Sequence, residues 1–328
     1  MARQTVSTPH PQKRHDTFTV ISRVKLVRPH PSSPVNYNFF SLITAAVVIF
    51  LSACSSNLPE VGSPSGELPT PIQVTPTQSP PVAIVNGEEI QKDIYEIHLA
   101  QYRAAQADSG TLLASEGVEQ IVLGDLIDRL LLAQGARESG FIIDDATIDQ
   151  RLNAVVDQAG GQDAFNAWLA AQGYAAEQFR KDLGLEIEAG WMRTQISDGV
   201  PTSAEQVEAR QILLPESFQA DRLLSQLQGG TPFDQVALNN DPQGLGYLGW
   251  FPREYLLQPE VEEAAFALQP GEFSQVIETE LGFHLIGVLN RDPDRALSPQ
   301  ARLMLQMKAL AEWLEAQRAQ SRIENLLP

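Results

Sequence analysis

Beyond residue 54 the chain holds two histidines, His98 and His284, and no cysteine. The other three histidines, His10, His15 and His30, precede an apolar run from Phe39 to Leu51, and the single cysteine, Cys54, follows that run. One thiol allows no internal disulfide framework, no CxxC redox pair and no cysteine-ligated zinc. Two histidines do not build a histidine metal cluster. There is no GxSxG, no Walker-type loop and no carboxylate cluster at metal-ligand spacing, and Gly229-Gly230 and Gly244–Gly246 read as turn glycines. What remains is hydrogen-bonding chemistry with no cofactor, from groups such as the ring of His284 and the side-chain amides and carboxyls. On residue type alone, His284 also reads as a satisfied core histidine, Asp241-Pro242 as a turn, and Gln211 as an inward polar side chain.

The elements that must position these groups sit in a chain of 328 residues with 43% apolar and 20% charged side chains, enough for two modest domains plus extensions. Of 23 basic and 41 acidic residues, six and one fall in residues 1–54, which leaves 17 and 40, a net −23, beyond Cys54. A body so acidic repels phosphate backbones, so no nucleic-acid partner is expected. The basic start, the apolar run and Leu51-Ser52-Ala53-Cys54 predict a signal peptide over residues 1–53. The processing site resembles that of bacterial lipoproteins, in which Cys54 would become the lipidated first residue of an extracytoplasmic, membrane-anchored protein. A transmembrane anchor is the alternative, but about 20 apolar residues are needed to span a bilayer and this run is shorter.

Residues 54–81 are rich in Pro, Ser, Thr and Gly and predict an extended tether. Folding is expected to begin at Val82, with a tight turn at Asn86-Gly87. Leu123, Leu126, Ile127, Leu130 and Leu131 share one helix face, and Gly140 stops that helix. Asp144 or Asp145 caps the next, whose stripe is Ile148 and Leu152. Two more helices are expected around Phe165 to Ala171 and Ala176 to Ile196, separated by Gly173. His98 lies in a polar helical stretch beside Tyr102 and reads as a surface residue. Ser298-Pro299 starts a final helix with a stripe of Leu303, Met307, Leu310 and Leu314 and with Trp313 beside it. That stripe must be buried, and we expect residues 294–328 to pack on the helical module of residues 82–201.

Residues 202–293 alternate strand and helix, which predicts an α+β domain with a small antiparallel sheet flanked by helices. Its landmarks are Ala209-Arg210-Gln211-Ile212-Leu213, Leu248-Gly249-Trp250-Phe251, Glu263-Ala264-Ala265-Phe266-Ala267-Leu268, Gly271-Glu272 and Thr279-Glu280-Leu281-Gly282-Phe283-His284. In that order they resemble the parvulin-type peptidyl-prolyl isomerases. The helical module, with its Val-Asn-Gly-Glu entry, resembles the N-terminal chaperone region of SurA/PrsA-type foldases, so the parvulin-like domain is expected as an insertion into that module. The resemblance implies a centre formed by His284, Thr279, Asp241 and Gln211, and a proline pocket of Leu248, Leu257 and Val261 with Phe283 nearby. Gln211 stands where the family usually has histidine, and Leu257 and Val261 stand where it more often has Met and Phe. The implied clients are unfolded or proline-containing exported polypeptides. Two functions stay open: a prolyl isomerase that assists folding, and a chaperone in which the parvulin fold only binds.

Overall fold

The computed structural model describes residues 79–109, 117–241, 243 and 246–327. The expected signal peptide, the lipidation at Cys54 and the tether as far as residue 78 lie outside the described residues, as do Pro242, Gly244 and Leu245. Among the described residues no helix is long and apolar enough to cross a membrane.

The first strands, β1 (Pro81–Val85) and β2 (Glu88–Gln91), form an antiparallel hairpin. Its turn is Asn86-Gly87, with φ of 53° and 91°, the backbone that an Asn-Gly pair supplies at little steric cost. Five helices follow: α1 (Lys92–Ser109), α2 (Val118–Glu138), α3 (Asp145–Gln158), α4 (Gln162–Gln172) and α5 (Ala176–Asp198). The side chain of Asp144 accepts from Thr147 N at 2.8 Å and caps α3. Helix α2 is the spine. Leu123, Leu126, Ile127, Leu130 and Leu131 join the core under the hairpin, while Leu132 belongs to a second core with Ala189 of α5. A helix apolar on nearly all sides has to be central, and each fully buried Leu or Ile contributes roughly 1.5–3 kcal/mol.

The end of the chain completes this module. Helix α9 (Pro299–Gln320), capped by Ser298, packs Leu310 and Leu314 against α2 and α5. Strand β7 (Ile323–Asn325) adds to the free edge of β1, so the sheet order is β2-β1-β7. Asn86 ties the two ends together: its Oδ1 accepts from Arg322 N at 2.9 Å and its Nδ2 donates to the buried Gln134 Oε1 at 2.8 Å. Only the C-terminal half of the expected stripe on α9 is covered. Gln306 lies against Ser197 at the last turn of α5, so Met307 is 37% and Leu303 55% exposed at and beyond that end.

Two other expectations change. His98 is 5% exposed, because Tyr95, His98, Leu99 and Tyr102 recur at helical spacing and all face inward. Helix α3 has no buried residue at all; Ile148 and Leu152 are half-buried, and the helix roofs a cavity instead of sealing a core.

Between α5 and α9 the chain forms β3 (Ser203–Leu214), α6 (Ser217–Gln228), α7 (Phe233–Asn240), β4 (Tyr247–Pro252), α8 (Pro259–Ala267), β5 (Ile277–Thr279) and β6 (Gly282–Ala296). The antiparallel sheet has the order β4-β3-β6-β5. It is reached and left through one pair of strands: Ser203 of β3 pairs with Ala296 of β6, and the buried Gln206 donates to Arg295 O at 2.8 Å. Strand alternation then gives the sheet two cores. Val207, Ala209, Ile286 and Val288 face α8 with Phe251, Val261 and Phe266. Ile212, Leu214 and Leu285 face α6 and α7 with Leu227 and Val236.

Candidate active site

Gln211 and His284 come from neighbouring central strands and point to the α8 side of the sheet. In register Gln211 pairs with Ile286, and His284 pairs with Leu213 on one side and Ile277 on the other. Ile286 and Ile277 belong to the core under α8, so the two polar side chains stand at one end of that apolar layer. His284 is 1% exposed and Gln211 is half-buried.

The ring of His284 is held from both sides. Its Nδ1 lies 3.3 Å from Gln211 Oε1, and its Nε2 lies 2.8 Å from Thr279 Oγ1. An amide oxygen only accepts, so Nδ1 carries the proton and Nε2 accepts from the threonine hydroxyl. Thr279 Oγ1 in turn accepts from Leu281 N at 3.1 Å, in the turn between β5 and β6. Burial pushes the imidazole pKa below its ordinary 6.5, against the opposing charge of Glu260. The neutral ring is therefore the form that suits this network. The Gln211 amide NH2 is left as the donor of the chain of hydrogen bonds that begins at Leu281.

Asp241 joins through backbone. Gln211 N donates to Gly246 O at 2.8 Å, and Gly246 N donates to Asp241 Oδ2 at 3.1 Å. Gly246 has φ of 62°, and a Cβ there would lie 1.8 Å from Gln211 O, so this contact admits only glycine. On composition Gly246 reads only as a turn residue; its place between Gln211 and Asp241 follows from the register of β3 and β4, which composition does not reveal.

The expected pocket residues divide. Val261, 2% exposed, and the partly buried Leu248 lie in the core under α8. Leu257 is 74% exposed, on a loop whose backbone N–H groups at Glu254, Tyr255 and Leu256 all donate to the Glu262 carboxylate. That carboxylate fixes the loop, and Leu257 projects from it to solvent. Phe283 is on the opposite face: it neighbours His284 in sequence, so strand alternation sends it toward Leu285, α6 and α7. Trp250 carries the Arg295 guanidinium over its ring at 4.2 Å, a packing contact.

The described residues thus form a helical module with an inserted antiparallel sheet that carries a buried histidine network. Residues 26–192 match the SurA-like N-terminal domain and residues 194–290 the PPIC-type PPIASE domain, and the chain belongs to the SurA-like family. Over 248 residues it is 29% identical to the Chaperone SurA of Methylobacillus flagellatus, covering 64% of this chain and 56% of that one. Over 224 residues it is 26% identical to the Foldase protein PrsA of Caldanaerobacter subterraneus subsp. tengcongensis, covering 62% of this chain and 72% of that one. The chain thus spans little more than half of the SurA protein. Among solved structures, the peptidylprolyl isomerase PrsA from Bacillus anthracis is similar at 19% identity with a TM-score of 0.39, covering 60% of this chain and 95% of that one.

Proposed function

We propose that the chain is a folding factor for exported proteins that catalyses cis/trans isomerisation of X-Pro bonds in unfolded clients. The observation that carries this reading is the hydrogen-bonded run Thr279–His284–Gln211 at the end of the apolar layer under α8. Isomerisation transfers no group. The barrier comes from amide resonance, and a catalyst lowers it by stabilising the twisted, less conjugated bond. The partly buried Leu248 offers the proline ring an apolar contact at the edge of that layer, with Val261 packed beneath it in the core; Leu257, which projects to solvent, is not part of the pocket in this reading. The Gln211 NH2 donates toward the peptide group as its nitrogen pyramidalises. His284 and Thr279 are positioning residues that hold the amide, and Asp241 holds Gly246 and through it the Gln211 backbone. Phe283 has no contact with the substrate in this reading.

Residues 82–201 with 294–328 form the client-binding module and residues 202–293 the isomerase domain. The signal peptide of residues 1–53 directs export, and lipidated Cys54 anchors the protein at the membrane through the tether of residues 54–81. Palmitate labelling lost in Cys54→Ser, with release of the protein to the soluble fraction, is the expected result.

Gln211 also favours a second reading, in which the domain binds proline segments without turning them over. Exchange NMR on a set of X-Pro peptides separates the two. Acceleration by the native protein that is lost in His284→Ala establishes an active centre built on Gln211. No acceleration by the native protein, with activity gained in Gln211→His, establishes the binding role.

A further inference from the structure

Residues 202–293 carry fourteen carboxylates against four arginines and no lysine. Three of the arginines are committed inside the domain. Arg210 pairs with Asp234 at 2.7 Å, Arg253 lies 4.2 Å over the ring of Phe266, and Arg291 donates to Phe266 O. The fourth, Arg222, is exposed on α6, which covers the opposite face of the sheet from His284. Among the described residues of this domain, the α8 side thus offers an approaching client no uncommitted cation.

Several of the carboxylates already hold the fold. Glu262 gathers the backbone of Glu254, Tyr255 and Leu256, Glu208 accepts from Tyr247 and Asn290, and Glu254 pairs with Lys308 of α9. Glu260 is different: it is exposed and has no hydrogen bond or ion pair among the described residues. It stands in the first turn of α8, after Pro259 and directly before Val261, which packs in the core with Leu248. Its charge reaches the buried ring, where Glu260 is the group that favours the protonated form of His284 against burial. An apolar layer beneath a surface charge weakens the screening of its field, and that layer here is the one under α8.

We propose, building on the proline site described above, that Glu260 is a specificity-determining residue of that site and selects clients with a lysine or arginine beside the proline. The cationic head meets the unpaired carboxylate while the proline ring rests on Leu248, and an acidic neighbour in the same place is repelled. Because the carboxylate is exposed, the discrimination is made in water and is sensitive to salt. A carboxylate in a first helical turn also suits the helix dipole, a role that gives no preference among clients.

The experiment is exchange NMR at pH 8 on the full chain with the blocked peptides Ala-Lys-Pro-Lys-Ala, Ala-Gln-Pro-Gln-Ala and Ala-Glu-Pro-Glu-Ala, which reads both rate and affinity. At low salt the lysine peptide is expected to exceed the glutamate peptide by about tenfold, with the glutamine peptide between them. In about 0.3 M salt that ratio should fall by roughly threefold. Glu260→Gln should bring the ratio to within about twofold of unity, and Glu260→Lys should invert it. Glu278→Gln removes the same charge from the other face of the sheet, where Glu278 pairs with Phe283, and should leave the native ratio in place. Equal values for the three peptides, or a ratio lowered as much by Glu278→Gln as by Glu260→Gln, overturn the assignment to Glu260. So does a Glu260→Gln variant that melts earlier and keeps the native ratio, which leaves the carboxylate to the helix dipole. The glutamine peptide keeps the two readings apart: no acceleration of it ends the isomerase reading, and the affinities of the same three peptides then decide the role of Glu260.

Discussion

His284 Nδ1 donates to Gln211 Oε1 across 3.3 Å between adjacent strands, so the buried histidine acts on the solvent side only through an amide that cannot titrate. Within the run Thr279–His284–Gln211, acid should therefore act through His284. Its pKa lies below 6.5, and protonation would put a second proton on Nε2, which now accepts from Thr279. Isomerisation is expected to be level from pH 7 to 9 and to fall as pH drops below 6.5. In Gln211→His a second titration should appear near neutrality. The pH dependence of the exchange rate measures both, and a native profile that still rises between pH 7 and 9 would count against the tautomer described.

Gly246→Ala tests the backbone link. The new methyl would meet Gln211 O at 1.8 Å on a residue at φ 62°, so β3 and β4 must separate. We expect a loss of at least ~2 kcal/mol in urea unfolding together with loss of turnover. Asp241→Asn, which keeps an acceptor for Gly246 N, should be much milder.

Asp125 on α2 carries a pKa raised from 3.8 to about 6 by burial and by the charge of Asp128, with Arg318 of α9 opposing. Its folded form holds the proton more tightly than the unfolded chain. The associated stability is thus present below pH 3.8 and lost as pH rises through 6. Asp125→Asn should then stabilise the protein at pH 7 by ~2 kcal/mol, and the gain should vanish near pH 4. Thermal melts at the two pH values decide it.

Deleting residues 297–328 removes Leu310, Leu314 and Trp313 from the core they share with Leu132 and Ala189, and takes β7 from the edge of β1. Hydrogen exchange is expected to rise by orders of magnitude in residues 91–200 and to change little within 205–290. Unchanged protection in 91–200 would show that α9 does not support the module.

Much of this fold is visible in the sequence because its punctuation is local. Asp144, Gly173 and Ser298-Pro299 mark helix ends within a residue or two, and Asn86-Gly87 dictates its own turn. His284, Thr279 and Gln211 could be brought together through a resemblance that spans strand register. What escaped depends on residues far apart in the chain. The environment of His98 is made by Arg129, Tyr174 and Asp182, 31, 76 and 84 positions away, and only the helical spacing of Tyr95, Leu99 and Tyr102 hinted at its burial. Leu257 is apolar in type, but its direction is set by the Glu262 carboxylate gathering three backbone donors. Strand β7 is three residues long, too short for any pattern to announce it.

The pairing of β1 with β7 joins Ala83 to Asn325. A polypeptide that crosses a membrane N-terminus first presents its beginning long before its end. Until Asn325 has emerged, β1 has one edge bare and α2 lacks the cover of α9, whereas the sheet of residues 203–296 finds all its partners within itself. Contacts so distant in sequence form late and slowly. The intervening domain is therefore expected to mature first, and the helical module to be completed only once the last thirty residues or so are available.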